Sequence, residues 1–294
     1  MAKQNECQPH GHAAEEPCEL HAPDPQKVAW PIPDRLPLTP AQCKGVESDS
    51  STELGSEGSD DESHGEDITP VSACAGFTFA ETLVIFDWDD TLLPTSWLRQ
   101  HGLTLHGAPI RCEVQLAHLE LLAASASQVL CQAKDLGRLV IVTNAETGWV
   151  ELSCQRFLPS LLPALEGVQV VSARSVFESP AVRSPVEWKR LAFTREVRAY
   201  YGVPPNDRFW NIVTLGDSLH EQQALLSATY GVVTCHAKFV KFAERPDVQQ
   251  LVTQHEEVGL LFRRIVDYDG DLDIHALALD LPPASGEEAA VLDA

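Results

Sequence analysis

Leu83-Val84-Ile85-Phe86-Asp87-Trp88-Asp89-Asp90-Thr91-Leu92-Leu93-Pro94 is the stretch on which the reading of this chain turns. Four consecutive apolar residues predict a strand buried on both faces, as in a parallel sheet covered by helices. The run stops at two carboxylates spaced i, i+2, Asp87 and Asp89. They would share one side of the strand only while the backbone stays regular. Thr91 to Pro94 cannot continue a central strand, so the chain must turn at once. Carboxylates at the carboxyl end of a buried strand sit where open α/β sheets bind ligands.

Working outward, the same pattern recurs. Cys112 to Leu136 reads as a helix with Leu116, Leu119, Leu122, Ala126, Val129 and Ala133 toward the core and Gly137 as its cap. Leu139–Val142 is a second buried run, ending at Thr143 and Asn144, and a short helix spans Trp149 to Leu158. Val168–Val171 is a third strand. Ser184-Pro185-Val186-Glu187 has a helix-start pattern, and the helix it opens carries Lys189 and ends at Gly202. Ile212–Leu215 is a fourth strand, breaking at Gly216-Asp217-Ser218. Val232–Cys235 reads as the fifth, and a last helix runs from Arg245-Pro246-Asp247 to about Ile265. Strands alternating with helices predict an α/β fold, a three-layer, doubly wound parallel sheet.

The remainder divides differently. Residues 1–80 hold fifteen acids against four bases, −11 of the chain's net −22. Residues 1–75 have few aromatics and no sustained periodicity and read as a disordered, acidic, Pro/Ser-rich tail that offers a protein partner a binding element. Cys7, His10, Cys18 and His21 match no closed zinc spacing. The folded domain is placed at 76–281 and a loose tail at 282–294. The negative balance disfavours nucleic acid and anionic membranes as partners. No apolar run reaches the ~18 residues of a spanning helix, and the start lacks an apolar signal core. Eight scattered cysteines without a CxxC pair read as reduced thiols, which points to the cytoplasm or nucleus rather than secretion.

Asp87 and Asp89, Thr143, Lys189 and Asp217 thus fall at strand tips or on the first turns of helices. Two carboxylates from separate strands suit a hard cation with oxygen ligands, and Mg²⁺ fits that description. Lys189 and the Thr143 hydroxyl would meet phosphate oxygens. In this arrangement Asp87 attacks phosphorus, and Asp89 serves as acid and then as base. Asp90 reads as a turn residue pointing away. The acidic cluster Asp267, Asp269, Asp271, Asp273 reads as a solvated turn, because Gly270 is misplaced for a calcium loop.

The motifs DxDxT (Asp87, Asp89, Thr91), strand-end Thr143, helical Lys189 and GDxxxE (Gly216, Asp217, Glu221) resemble those of the haloacid dehalogenase-like superfamily over roughly residues 80–265. The longer DWDDTLLP string and Lys238-Phe239-Val240-Lys241-Phe242 resemble a branch of it in single-celled eukaryotes. The resemblance implies a sheet ordered 5-4-1-2-3. It also implies Mg²⁺ held by Asp87, the Asp89 carbonyl and Asp217, with Glu221 reaching metal-bound water in place of the commoner Asp. Thr143, Asn144 and Lys189 would bind phosphate. The short intervals between motifs imply a minimal cap and an open site. The function this implies is phosphomonoester hydrolysis through an aspartyl-phosphate, on a phosphoprotein or a small phosphorylated metabolite. The alternative is an inactive fold of this kind kept as a protein-interaction module. Gly216-Asp217-Ser218-Leu219 spells a serine-esterase string but comes after the wrong strand for one. A phosphoreceiver would need an acceptor Asp where this chain has Ser172-Ala173.

Overall fold

The computed structural model describes residues 76–203 and 208–276. The tail of residues 1–75, its cysteines and histidines, and the segment from 282 lie outside them. In chain order the elements are β1 (Thr82–Phe86), α1 (Thr95–Gln100), α2 (Glu113–Leu136), β2 (Arg138–Thr143), α3 (Trp149–Phe157), α4 (Leu162–Leu165), β3 (Gln169–Ser172), α5 (Ala173–Phe177), α6 (Pro185–Tyr201), β4 (Trp210–Gly216), α7 (Leu219–Thr229), β5 (Cys235–Lys241), α8 (Val248–Asp267) and β6 (Leu272–His275). All six strands are parallel, in the order β3-β2-β1-β4-β5-β6.

The order differs from the expected 5-4-1-2-3 by a sixth strand beyond β5, formed by residues read as part of an acidic turn. Strand five itself is displaced. Val232 and Val233 are in a turn after Gly231, Val233 almost fully exposed, and pairing begins at Cys235. The β-branched pair mimicked a strand, whereas Lys238 and Lys241 disguised the real one. Both lysines are buried because their amines find backbone carbonyls, a partner that a charge-based reading cannot foresee. After the turn at Pro94 the chain forms α1, and Leu116, expected in the core, is exposed.

Alternation along β1 builds the layers. Leu83 and Ile85 pack with Trp188, Ala192, Phe193 and Val197 of α6 and with Ala224 and Leu225 of α7. Val84 and Phe86 enter the opposite cluster with residues of α2 and α8. By length and mean hydropathy alone, α2 would pass as a membrane span. Here Leu119, Leu122, Ala126, Val129, Leu130 and Ala133 are buried in the core. Gly137 ends α2 in an extended conformation, and its role is close approach, since a Cβ there would lie 2.6 Å from the Thr82 carbonyl.

Chain connections run outward from β1 through β2 to β3, and on the other side from β4 through β5 to β6. The boundary between β1 and β4 is therefore the point where the winding reverses, the place where open α/β sheets bind ligands at their carboxyl edge. Asp87 extends the ladder there, its amide donating to Leu215 O at 2.9 Å.

Candidate active site at the carboxyl edge of the sheet

The alternation that sorts β1 also sorts the two residues after it. Asp87 keeps the parity of Leu83 and Ile85 and faces the α6/α7 layer. Trp88 keeps that of Val84 and Phe86, is fully buried in the other layer, and donates its indole N–H to Ser153 Oγ at 3.0 Å. Lys189, on the second turn of α6, reaches down to Asp87. Its Nζ donates to Asp87 Oδ1 at 2.7 Å and to Glu221 Oε1. All three side chains are almost completely buried, with relative side-chain exposures of 3%, 7% and 2% for Lys189, Asp87 and Glu221.

Glu221 is shaped by its own helix start. Ser218 caps α7, and its amide (3.0 Å) and hydroxyl (2.6 Å) both donate to Glu221 Oε2. The arm folds back over Gly216, where any Cβ would collide with Glu221 Cγ. Glycine precedes Asp217 because a side chain lies across its backbone. Glu221, expected to reach metal-bound water, accepts from Lys189 through Oε1 and from Ser218 through Oε2.

Burial pushes the Asp87 carboxyl well above the usual carboxylate range. Lys189 pulls it down, while Glu221, Asp89 and Asp217 push it further up. Burial likewise opposes charge on Lys189, but Asp87 and Glu221 outweigh it and its pKa is raised. Burial opposes the Glu221 carboxylate too, yet Lys189 and the Ser218 donors hold its pKa below the ordinary value. Asp217 is pushed up to about 7, first by burial and then by Glu221, with Lys189 and Lys241 only partly offsetting. Five carboxylates (Asp87, Asp89, Asp90, Asp217, Glu221) against the ammoniums of Lys189 and Lys241 leave three negative charges when all are ionised.

Asp89 has left the strand geometry. Its Oδ1 accepts from Thr95 Oγ1 at 2.5 Å and from Trp149 Nε1 at 2.9 Å, and its Oδ2 from Thr143 Oγ1 at 3.2 Å. The Thr143 hydroxyl also accepts from the Ala145 amide at 3.0 Å. Asp90 adopts a left-handed φ of 55° and its carboxylate binds the Ser96 amide (2.8 Å) and hydroxyl (2.5 Å), holding the start of α1. The turn reading of Asp90 agrees with this conformation. Asn144, expected to bind phosphate, donates through Nδ2 to Pro185 O at 3.2 Å, while its Oδ1 is buried without a described partner. The structure thus brings together Asp87, Lys189 and Glu221 in one group and Asp89 with Thr143 in an adjoining one.

Whether Mg²⁺ fits is a question of open oxygens. Among the described residues no three His, Cys, Asp or Glu side chains are grouped to hold a metal. The expected ligand set needs only two side chains and one carbonyl. Asp87 Oδ2, the Asp217 carboxylate and the Asp89 carbonyl each have no described hydrogen-bond donor. All are hard oxygens, and they border a buried negative excess, so the donor set suits Mg²⁺. The Asp217 peptide is itself held, because Lys241 Nζ donates to its carbonyl at 2.5 Å and to Phe242 O at 3.0 Å.

Thr95, Trp149, Ser218 and Lys241 escaped the sequence reading. Only Ser218 left a signal there, a helix cap three residues before an acid. The others meet the site across 6, 60 and 24 positions of chain.

No protein-family model, curated protein or solved structure matches the chain.

Proposed function

We propose that this chain is a Mg²⁺-dependent phosphomonoester hydrolase of the haloacid dehalogenase-like kind, acting through an aspartyl-phosphate on Asp87. The observation that carries the reading is the buried Lys189 Nζ held by Asp87 Oδ1 at the point where the sheet reverses its winding. An ammonium fixed beside a strand-end carboxylate restrains the nucleophile and offers positive charge to a phosphoryl group arriving next to it. Asp87, Asp217 and the Asp89 carbonyl would hold the cation. Bound Mg²⁺ supplies charge that ionises the buried carboxylates and polarises the phosphoryl oxygens.

The steps assigned to the chain's own residues balance simply. An oxygen of Asp87 bonds to phosphorus as the ester P–O bond breaks, and the leaving oxygen takes a proton from Asp89. Water then bonds to phosphorus and returns a proton to Asp89, while the Asp87–phosphorus bond breaks to free phosphate. Between β1 and β2 the chain spends its residues on α1 and α2, and between β2 and α6 on α3, α4, β3 and α5. Neither interval carries a separate cap domain, which favours an open site that accepts a phosphoprotein as well as a small phosphometabolite.

One observation favours a different reading. Lys189 is occupied by two buried carboxylates rather than one, as in a site kept only for structure, and a protein-interaction module would be built so. Phosphate release from phosphopeptides and phosphometabolites, with and without Mg²⁺, separates the two. The hydrolase reading predicts metal-dependent release that falls by about 10³-fold or more in Asp87→Asn. Equal release by both proteins, or none by either, supports the module.

A further inference from the structure

Asp89 is gripped unevenly, and the unevenness has a chemical consequence. A carboxylate oxygen has two lone-pair directions. Both directions of Oδ1 are filled, one by the Trp149 indole N–H at 2.9 Å and one by the Thr95 hydroxyl at 2.5 Å. Oδ2 takes a single donor, Thr143 Oγ1, at the longer distance of 3.2 Å. The indole N–H has no lone pair and only donates. With both directions of Oδ1 filled by groups of the protein, none is left on that oxygen for an arriving ester or water, whereas Oδ2 keeps one open.

We infer that Trp149 and Thr95 are positioning residues that occupy Asp89 Oδ1 and so leave Oδ2 as the oxygen that gives and takes the proton. This rests on the hydrolase reading above. In the first step the proton leaves Oδ2 for the departing ester oxygen as the Asp87–phosphorus bond forms. In the second, the proton of the attacking water returns to the same Oδ2 as that bond breaks. Thr143 is suited to the neighbouring place, because a hydroxyl can donate to the carboxylate and accept from the acid. Trp149 lies at the first position of α3, with Gly148 before it at φ 91°, and packs against the core. The donor's position is thus fixed by the helix start and the packed ring.

The experiment compares phenyl phosphate with p-nitrophenyl phosphate, which have the same ring and differ in how much the leaving oxygen needs a proton. Trp149→Phe keeps an aromatic side chain but removes the N–H donor, and Thr95→Val removes the hydroxyl. Thermal melting checks that both fold. Each variant is expected to lose about tenfold or more in kcat on phenyl phosphate, with less than about threefold lost on p-nitrophenyl phosphate and KM little changed. An equal loss on both esters, or no loss on either, overturns the assignment of Oδ2. Asp87→Asn runs beside them. If it still releases phosphate, the hydrolase reading has failed; if it is inactive while Trp149→Phe is unselective, only the present inference has. Wild-type protein that hydrolyses neither ester overturns both.

Discussion

Lys189 and Lys238 are both enclosed by this fold, at 2% and 0% exposure, yet their surroundings treat the charge in opposite ways. Lys189, at the carboxyl edge of the sheet, meets two buried carboxylates and has its pKa raised against the effect of burial. Lys238, within β5, donates to the Val266 carbonyl at 2.7 Å and lies over the Phe77 ring at 4.7 Å. Burial lowers its pKa to about 7, and Asp267, Asp269 and Asp271 recover only part of the difference. A buried amine that serves only as a hydrogen-bond donor can lose its proton without losing its partner. One placed between carboxylates cannot. The comparison separates a lysine that organises a charged site from one that ties a helix end to a strand.

The difference is broken most severely at Lys189. Lys189→Met leaves Asp87 and Glu221 buried without a countercharge, which should destabilise the fold by roughly 3–5 kcal/mol at pH 7 in denaturant titrations. Mg²⁺ should restore part of that loss, because it supplies the missing charge. A loss below ~1 kcal/mol would show that the ion pair is not what holds the two carboxylates in place.

Gly216→Ala tests the same cluster through packing alone. The added methyl collides with Glu221 Cγ and forces the arm off Lys189, so a cost of ~1–3 kcal/mol is expected in the same titration. An unchanged midpoint would mean that the arm moves freely and that Lys189 does not need it.

Lys238→Met should have the smallest effect, with a pH dependence that identifies it. The Val266 carbonyl keeps Asn211 Nδ2 as a donor at 3.0 Å, so removing the amine strands nothing. A lysine whose folded pKa is lowered binds fewer protons folded than unfolded between about 7 and 10.5, so its penalty is complete below pH 7 and fades as pH rises to 10.5. Lys238→Met should therefore match or exceed wild type by ~1 kcal/mol at about pH 6, and the gain should shrink by about pH 9.5. A gain that grows with pH would contradict the assignment.

These contrasts mark what the sequence could disclose. Continuous hydrophobic runs with abrupt polar ends made the first four strands legible, along with Asp87 and Asp217 at their carboxyl edge and Lys189 on the helix before β4. Strand five was not legible, because Lys238 and Lys241 look solvated until the carbonyls of Val266 and Asp217 appear opposite them. Strand β6 was hidden for a related reason. Its neighbouring acids are engaged, Asp271 by the Ala237 amide and Asp273 by Gln222, rather than solvated in a turn. The grip of Trp149 and Thr95 on Asp89 depends on where two helices begin in space, which residue types along the chain do not encode.

The central claim is that Asp87 carries the phosphoryl group. It is tested by acid-quenching the protein during turnover of a phosphate ester with Mg²⁺, reducing acyl phosphates with borohydride and mapping the product by mass spectrometry. The account predicts reduction of the Asp87 side chain to its alcohol, and none at Asp89 or Asp217. Turnover that leaves Asp87 unlabelled, or a label on another carboxylate, would contradict it.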